Sequence, residues 1–203
     1  MSQQAPAPSA RQTELLEAAY RYALAHGLTD LSLRPLAEAI GSSPRVLLFL
    51  FESKDGLLRA LLARARADEL ALLDRAGRPE GPTGLGPAVE RVWTWLAAEE
   101  HRPLLRLWAE AYTRSLVQPE GPWAGFARAT VEDWLGVLAG FQPPSERDSA
   151  AGATRRTLAL AVLRGALLDL LATDDERRLT GAVAHQLALL HDDHAAGGRG
   201  DGE

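Results

Sequence analysis

Apolar residues recur at helical spacing along most of the chain. Alanine and leucine dominate residues 11–192, and β-branched residues are scarce there. Intervals of three and four, as in Leu33, Leu36 and Ile40, place apolar side chains on one face of a helix. No segment alternates strictly between apolar and polar residues, so no strand is predicted. The pattern predicts an all-α protein.

Helix caps and loop-forming residues divide this pattern into separate elements. Gly27 and Gly41 are placed to end helices, whereas Ser32 and Ser53 are placed to cap the next ones. Residues 77–87 and 142–152 are rich in glycine, proline or small polar residues, which predicts loops. The predicted helices cover residues 13–26, 32–40, 44–51, 53–75, 88–100, 103–116, 122–140, 154–172 and 175–191.

The segment SPRVLLFLF at residues 43–51 needs a closer argument, because its six consecutive apolar residues could also form a buried strand. Ser43 is a good N-cap, and Pro44 has the φ of a first helical residue. A strand would need a partner, which no other segment offers. A helix is therefore predicted. Its inward face would hold Leu47, Leu50 and Phe51, and its outward face Arg45, Leu48, Phe49 and Glu52.

The second and third predicted helices form a helix-turn-helix pattern across a short turn that Gly41 opens. In such a unit, the N-terminal residues of the second helix meet base edges in the major groove of DNA. An ordinary helical hairpin has the same spacing, so spacing alone leaves both interpretations open.

Residues 15–58 resemble the N-terminal domain of tetracycline-repressor (TetR) type regulators. The similar segments are LLEAA at 15–19, the Gly27-Leu28 turn, LSLRPLAEAIG at 31–41 and SKDGLL at 53–58, together with Ser43, Leu47 and Phe51. The resemblance implies a three-helix DNA-binding head, a long connecting helix, a larger helical ligand-binding and dimerisation domain, and a homodimer. It predicts a DNA-binding domain at 11–52 and an effector-binding and dimerisation domain at 53–192. Composition predicts a disordered arm at 1–10 and a disordered tail at 193–203.

The resemblance also implies which residues contact DNA. Arg34 would contact a phosphate or a base, and Lys54 matches the family's phosphate-binding lysine. The base-reading end of the third helix would comprise Ser43, Pro44, Arg45 and Val46. The alternatives are a solvated charge at Arg34, a surface base at Lys54 and a simple helix cap at Ser43.

Apolar contacts extend this candidate interface, because Val46 and Phe49 can touch thymine methyl groups. Two features argue against DNA binding at this interface: its charge and the absence of a hydroxyl group. The chain carries a net charge of −5, and residues 1–60 hold six bases against six acids. A neutral head binds DNA more weakly and with a shallower salt dependence. Leu48 replaces a residue that is usually tyrosine in the family, so it offers phosphate no hydroxyl. The rival interpretation is a dimeric small-molecule binding protein of this fold that no longer binds an operator.

All five tryptophans lie between residues 93 and 134. Trp108 and Tyr112 share a helix face, because they are spaced i, i+4. Such a cluster forms either core or a mostly apolar pocket; since the family has a pocket, we predict an apolar or aromatic effector. The candidate ligand residues are Trp93, Trp108, Tyr112, Trp134 and Arg164.

The larger domain is predicted to contain a buried arginine, which needs a partner, and a repeat of charged residues, which needs solvent. Arg164 lies among apolar neighbours, so it requires Asp169, a second subunit or an anionic ligand as its partner. The last two helices resemble the family's dimer interface, which favours a structural pair. Another repeat at i, i+4 predicts a solvated face, formed by Arg106, Glu110 and Arg114.

Other function classes find little support. The chain has no cysteine, so disulfides and thiolate metal sites are excluded. No apolar run is long enough to span a bilayer, which predicts a soluble cytoplasmic protein. No spacing predicts a catalytic group, a metal site or a cofactor. The resemblance thus implies a ligand-responsive transcriptional regulator, in this family most often a repressor, that binds a pseudo-palindromic double-stranded operator as a homodimer.

Overall fold

The structure is a computed structural model that describes residues 9–75 and 84–197. All regular elements in these residues are helical, which confirms the all-α prediction. Two short 3₁₀ turns, Glu99–His101 and Gly121–Trp123, accompany the α-helices. The α-helices are α1 (Ala10–His26), α2 (Leu33–Ala39), α3 (Pro44–Phe51), α4 (Lys54–Arg75), α5 (Leu85–Ala97), α6 (Arg102–Val117), α7 (Phe126–Phe141), α8 (Pro144–Arg147), α9 (Ala150–Thr173) and α10 (Glu176–Gly197).

The chain divides into two compact units. The first contains Met1–Asp68 and Arg106–Ala127, and the second contains Glu69–Leu105 and Arg128–Glu203. The division runs through α4, α6 and α7. The predicted boundary between residues 52 and 53 concerns function, which this division does not test, so it stays a prediction.

A glycine-dependent turn joins α2 to α3 in the first unit. Gly41 has a φ of +63°, a conformation that side chains with a Cβ rarely adopt. Its N–H donates to the Glu38 carbonyl at 3.3 Å, and the Ser42 N–H donates to the Ala37 carbonyl at 2.8 Å. These two bonds form a Schellman motif, which satisfies carbonyls that the end of α2 would otherwise leave unpaired.

The segment at residues 43–51 is a helix, as predicted. The Ser43 hydroxyl accepts a hydrogen bond from the Val46 N–H at 3.3 Å, and Pro44 occupies the first helical position. Leu47 and Phe51 are buried in the core of the first unit. The packing of these two side chains therefore holds helix α3 in the first unit.

The core of the second unit is built around α5, α9 and α10, which pack against one another. Their buried residues recur at helical spacing on each element. The core includes Val89, Val92, Leu96, Leu160, Leu163, Leu167, Leu170, Leu179 and Val183.

Several element boundaries differ from the predictions. Helix α1 begins three residues early because the Ser9 hydroxyl caps it, accepting from the Gln12 N–H at 3.2 Å. Helix α5 begins at Leu85, inside the predicted loop. A single helical turn, α8, occupies part of the predicted break at 142–152. Helix α10 continues to Gly197 through a pair of alanines, the strongest helix formers. The rest of the predicted arm, loop and tail, at residues 1–8, 76–83 and 198–203, lies outside the described residues.

Among the described helices, none combines the length and the apolar character that crossing a membrane requires.

Candidate nucleic-acid interface and ligand groove

The outward face of α3 presents apolar side chains beside one base. Phe49 is 83% exposed, and Val46 and Leu48 are also exposed. Arg45, in the first turn of α3, is exposed as well. A largely exposed phenylalanine lowers the solubility of a monomer without adding to its core, so this face has the character of a contact surface.

Three predicted contact bases are exposed near this face. Arg34 lies in the first turn of α2, Arg45 in that of α3, and Lys54 begins α4. Within the described part of the chain, none of the three forms an ion pair. Their charges are therefore available to a phosphate or a base edge.

Polar contacts hold α1 against α3 and α4 in the first unit. The Gln12 side-chain amide donates to the Leu50 carbonyl at 2.9 Å. The Tyr20 hydroxyl donates to Asp68 at 2.9 Å, and burial together with this bond raises the pKa of Tyr20 above its ordinary value. Arg64 donates to Glu17 at 2.5 Å and lies 4.7 Å from the centre of the Tyr20 ring. These contacts fix the first helix of the head on the connecting helix.

Glu110 corrects the prediction of a solvated face on α6. Its carboxylate accepts the Leu28 N–H at 2.9 and 3.1 Å and also binds the Thr29 hydroxyl. Glu110 is half-buried, so only Arg106 of the predicted ladder lies fully exposed. Spacing along α6 could not reveal this contact, because its partner is 82 residues away in the sequence.

The predicted ligand residues fall in both units. Trp93, Trp134 and Arg164 belong to the second unit, whereas Trp108 and Tyr112 belong to the first. All three tryptophans are buried, and Arg164 is half-buried. The structure brings Trp108 and Tyr112 together, with ring centres 5.0 Å apart.

Two of these tryptophans hold helices together in the second unit. The Trp93 indole N–H donates to the Thr180 hydroxyl at 2.9 Å, which links α5 to α10. The Trp134 indole N–H donates to the buried carboxylate of Glu69 at 2.8 Å, which links α7 to α4. Both contacts have a structural role within the unit.

A solvent-open groove of about 520 Å³ lies along α5 and the 3₁₀ turn that follows it. Its inner part includes the Trp95 indole stacked on the His101 imidazole, with ring centres 4.5 Å apart. None of the five predicted ligand residues lines this groove. The lining residues are Pro87, Glu90, Arg91, Thr94, Trp95, Ala98, Glu100 and His101.

Comparison with known proteins gives a family model that matches the head and solved structures with a similar fold. Residues 15–61 match the sequence model of the bacterial regulatory proteins of the tetR family. A transcriptional regulator from Rhodococcus sp. Rha1 has a similar structure, with a TM-score of 0.67 and 23% identity over 88% of this chain and 94% of that one. A TetR transcription regulator from Haloarcula marismortui ATCC 43049 gives a TM-score of 0.63 and 21% identity over 88% and 96%. The multidrug binding protein EbrR, complexed with proflavin, gives a TM-score of 0.62 and 26% identity over 87% and 99%.

The head of this chain, residues 15–61, is similar in sequence to the TetR family. The TetR-like fold extends over most of the chain, although the family's sequence model covers only the head. No curated protein matches the chain. TetR regulators bind DNA through the helix-turn-helix, so the family supports transcription regulation as the general function.

The stacked pair of Trp95 and His101 was missed by reasoning from the sequence. Trp95 belongs to the tryptophan-rich stretch, but nothing in its spacing separates it from Trp93. The hydrogen bond between the His101 imidazole Nδ1 and the Trp95 carbonyl, 2.8 Å long, depends on the turn after α5. That turn was predicted as part of a longer helix, so the stacked pair could not be foreseen.

Proposed function

We propose that this protein is a ligand-responsive transcriptional regulator, in the manner of a repressor, that binds a pseudo-palindromic operator as a homodimer. Such a protein works in the cytoplasm, where it has access to its DNA. The observation that carries the proposal is the outward face of α3, with the exposed base Arg45 and exposed apolar residues at the position where a helix-turn-helix meets base edges.

The contacts divide into backbone and base contacts. Lys54 and Arg34 supply positive charge to phosphates, which positions the head without reading sequence. Arg45 can bind guanine edges, and Val46 and Phe49 can pack on thymine methyls. Ser43 and Pro44 hold the first turn of α3 at this surface.

The homodimer is proposed to form through α9 and α10. Leu158 and Leu168 on α9 are 47% and 45% exposed, and they lie on one stripe with Ala161, Gly165 and Ala172. The stripe repeats at intervals of three and four, which is the seam that a second helix packs against. Gly181, Ala184 and Ala188 form a matching exposed stripe of small residues on α10. A second copy of the chain would cover both stripes.

The effector is proposed to bind the helical domain beyond the head, where an apolar or aromatic compound would contact Trp93, Trp108, Tyr112, Trp134 or Arg164. The likeness to EbrR, described as a multidrug binding protein in complex with proflavin, supports an aromatic effector. The contact between Trp134 and Glu69 gives such a ligand a route to α4, the helix that leads to the head.

The alternative function is a dimeric small-molecule binding protein that has lost its operator. The observation that favours it is Leu48, which is exposed on α3 and has no hydroxyl to offer to a phosphate. The two functions differ in a single measurable property, which is sequence-specific DNA binding.

Selection of bound sequences from random DNA, followed by titration of the selected duplex, tests the proposal. Lys54→Ala should weaken binding to every sequence and lower the salt slope by about one unit. Arg45→Ala should instead lose about 1–3 kcal/mol of discrimination at one base position. Phe49→Ala should weaken binding to thymine-containing sites with little loss of fold stability.

Arg128→Ala is the matched control, because Arg128 is exposed and forms an ion pair with Glu132 one helical turn away. It should leave DNA binding unchanged. If selection yields no preferred sequence, or if Lys54→Ala and Arg45→Ala both bind as the unaltered protein does, the small-molecule binding function takes the place of the regulator.

A further inference from the structure

The exposed face of α3 offers DNA few hydrogen-bonding groups. Five side chains of α3 are exposed, and four of them are apolar. The apolar ones are Pro44, Val46, Leu48 and Phe49, and the fifth is Arg45. Readout by this face therefore depends on one guanidinium and on the contacts that apolar side chains can make.

The major groove of DNA holds one apolar group on its base edges, the C5-methyl group of thymine. The other groups there are hydrogen-bond donors and acceptors, and covering them with an apolar side chain costs free energy because they lose water without gaining a partner. Apolar side chains on a recognition helix therefore discriminate by the presence of a methyl group. The base 5-methylcytosine carries the same methyl group on the same ring carbon, so such a contact does not require thymine.

Arg45 and Phe49 share the middle of the exposed face, because they are spaced i, i+4. Phe49 is 83% exposed, against 38% for Val46 and 41% for Leu48, so its ring is the most accessible of these three apolar side chains. The positions of Arg45 and Phe49 are about 6 Å apart along the helix, at a rise of about 1.5 Å per residue. Successive base pairs are about 3.4 Å apart. A guanine bound by Arg45 and a methyl group bound by Phe49 would thus lie roughly one or two base pairs apart.

The charge around this face favours DNA as its occupant over an apolar partner protein. Arg34 and Lys54 are exposed on the neighbouring helices α2 and α4. Together with Arg45 they supply positive charge around the helix-turn-helix, and none of the three forms an ion pair within the described residues. An apolar protein surface would leave these charges without partners, whereas phosphates line both edges of the major groove.

We propose that the head recognises the C5-methyl group of a pyrimidine as such, through Phe49 with Val46 beside it, close to a guanine bound by Arg45. Methylation of cytosine at the contacted position therefore strengthens DNA binding, and the protein responds to the methylation state of its operator. This inference rests on the regulator function proposed above. It adds the class of base, a 5-methylpyrimidine, that the operator presents to α3.

The first experiment removes single methyl groups from the DNA and leaves the protein unaltered. In the selected operator duplex, deoxyuridine replaces thymidine at one position at a time, which deletes only the C5-methyl group. At the position that Phe49 contacts, binding should weaken roughly threefold to tenfold, as expected from the transfer free energy of one buried carbon group. Phe49→Ala should bind the thymine and uracil duplexes equally, because the side chain that contacts the methyl group is gone. Circular dichroism checks that this variant is folded.

The second experiment distinguishes the two sources of the methyl group. Cytosine or 5-methylcytosine, each paired with guanine, replaces the thymine at the same position. The unaltered protein should bind the 5-methylcytosine duplex roughly threefold to tenfold more tightly than the cytosine duplex, and Phe49→Ala should bind both equally. Lys54→Ala is the matched control. It should weaken binding to all four duplexes by one factor and keep the methyl effect, because a phosphate contact carries no base information.

The outcomes separate this inference from the regulator function. A uracil series in which no position weakens binding overturns methyl recognition. Equal affinity for cytosine and 5-methylcytosine overturns the response to methylation, and a methyl effect that persists in Phe49→Ala overturns the assignment to Phe49. All three results are obtained with a duplex that the protein binds selectively, so they leave the regulator function standing. Selection that yields no preferred sequence overturns the regulator function, and this inference with it.

Discussion

At the scale of single residues, a close approach of the backbone requires glycine at position 56. A Cβ placed on Gly56 would lie 2.0 Å from the carbonyl oxygen of Phe51, far inside van der Waals contact. The approach arises because Glu52, with a φ of +66°, turns the chain sharply from α3 into α4. The Ser53 hydroxyl then caps α4 by accepting the Gly56 N–H at 2.9 Å.

Gly56→Ala should therefore lower the free energy of unfolding by roughly 1–3 kcal/mol, the usual cost of overpacking. Urea denaturation measures the change. Gly136→Ala is the control, because a Cβ built there meets no described atom within 4 Å beyond its own stretch of helix, and alanine in a helix should be neutral or stabilising by up to about 1 kcal/mol. Equal stability of Gly56→Ala and the unaltered protein would contradict the argument.

The residues of the head show what local sequence can reveal. Ser43, Pro44 and Gly41 were predicted correctly in their structural positions because their chemistry acts on adjacent backbone groups. Gly56 appeared in the sequence only as part of the segment SKDGLL. Its steric reason depends on the turn at Glu52, which no local pattern specifies.

At the scale of elements, Glu110 fastens α6 to the turn between α1 and α2. A carboxylate that accepts two donors is strongly held, since hydrogen bonds to charged groups contribute more than neutral ones. Glu110→Gln keeps the shape but removes the charge, and it leaves one donor facing an amide nitrogen. The free energy of unfolding should fall by about 1–2 kcal/mol.

Glu132→Gln is the matched change on α7, where Glu132 forms an exposed pair with Arg128 at 2.9 Å. Exposed pairs contribute about 0–1 kcal/mol, so this variant should be nearly as stable as the unaltered protein. Thermal and urea unfolding of the two variants side by side make the comparison. If both lose the same stability, Glu110 has only the role of a surface charge.

The helices themselves could be predicted, because they follow from the spacing of apolar residues and from helix caps. The contacts between helices could not be predicted from these local features. The outward position of Phe49 followed from the spacing of Leu47 and Phe51, and the structure confirms it. The groove depends on where α5 ends and how the next turn bends. Its residues therefore could not be assembled from their separate positions in the sequence.

At the scale of the whole molecule, the proposed function requires two copies. A single head contacts one half-site, and affinity for a pseudo-palindrome comes from two heads held about 34–36 Å apart. The proposed interface on α9 and α10 is thus linked to DNA binding even though it contributes no base contact. A change confined to the interface should act on both the dimer and the operator complex.

Leu168→Glu provides that change. Leu168 is exposed, so the substitution should leave the fold intact, but it would place a charge in the centre of the apolar stripe of both copies. A buried charge without a partner costs several kcal/mol, so sedimentation at micromolar concentration should show monomers. Operator binding should weaken with it, and the loss should diminish at high protein concentration because dimerisation is then restored by mass action. Leu116→Glu, at a more exposed leucine on α6, should leave sedimentation unchanged. If the Leu168→Glu protein remains dimeric, the proposal that α9 forms the dimer interface is wrong. A different surface would then have to set the spacing of the two heads.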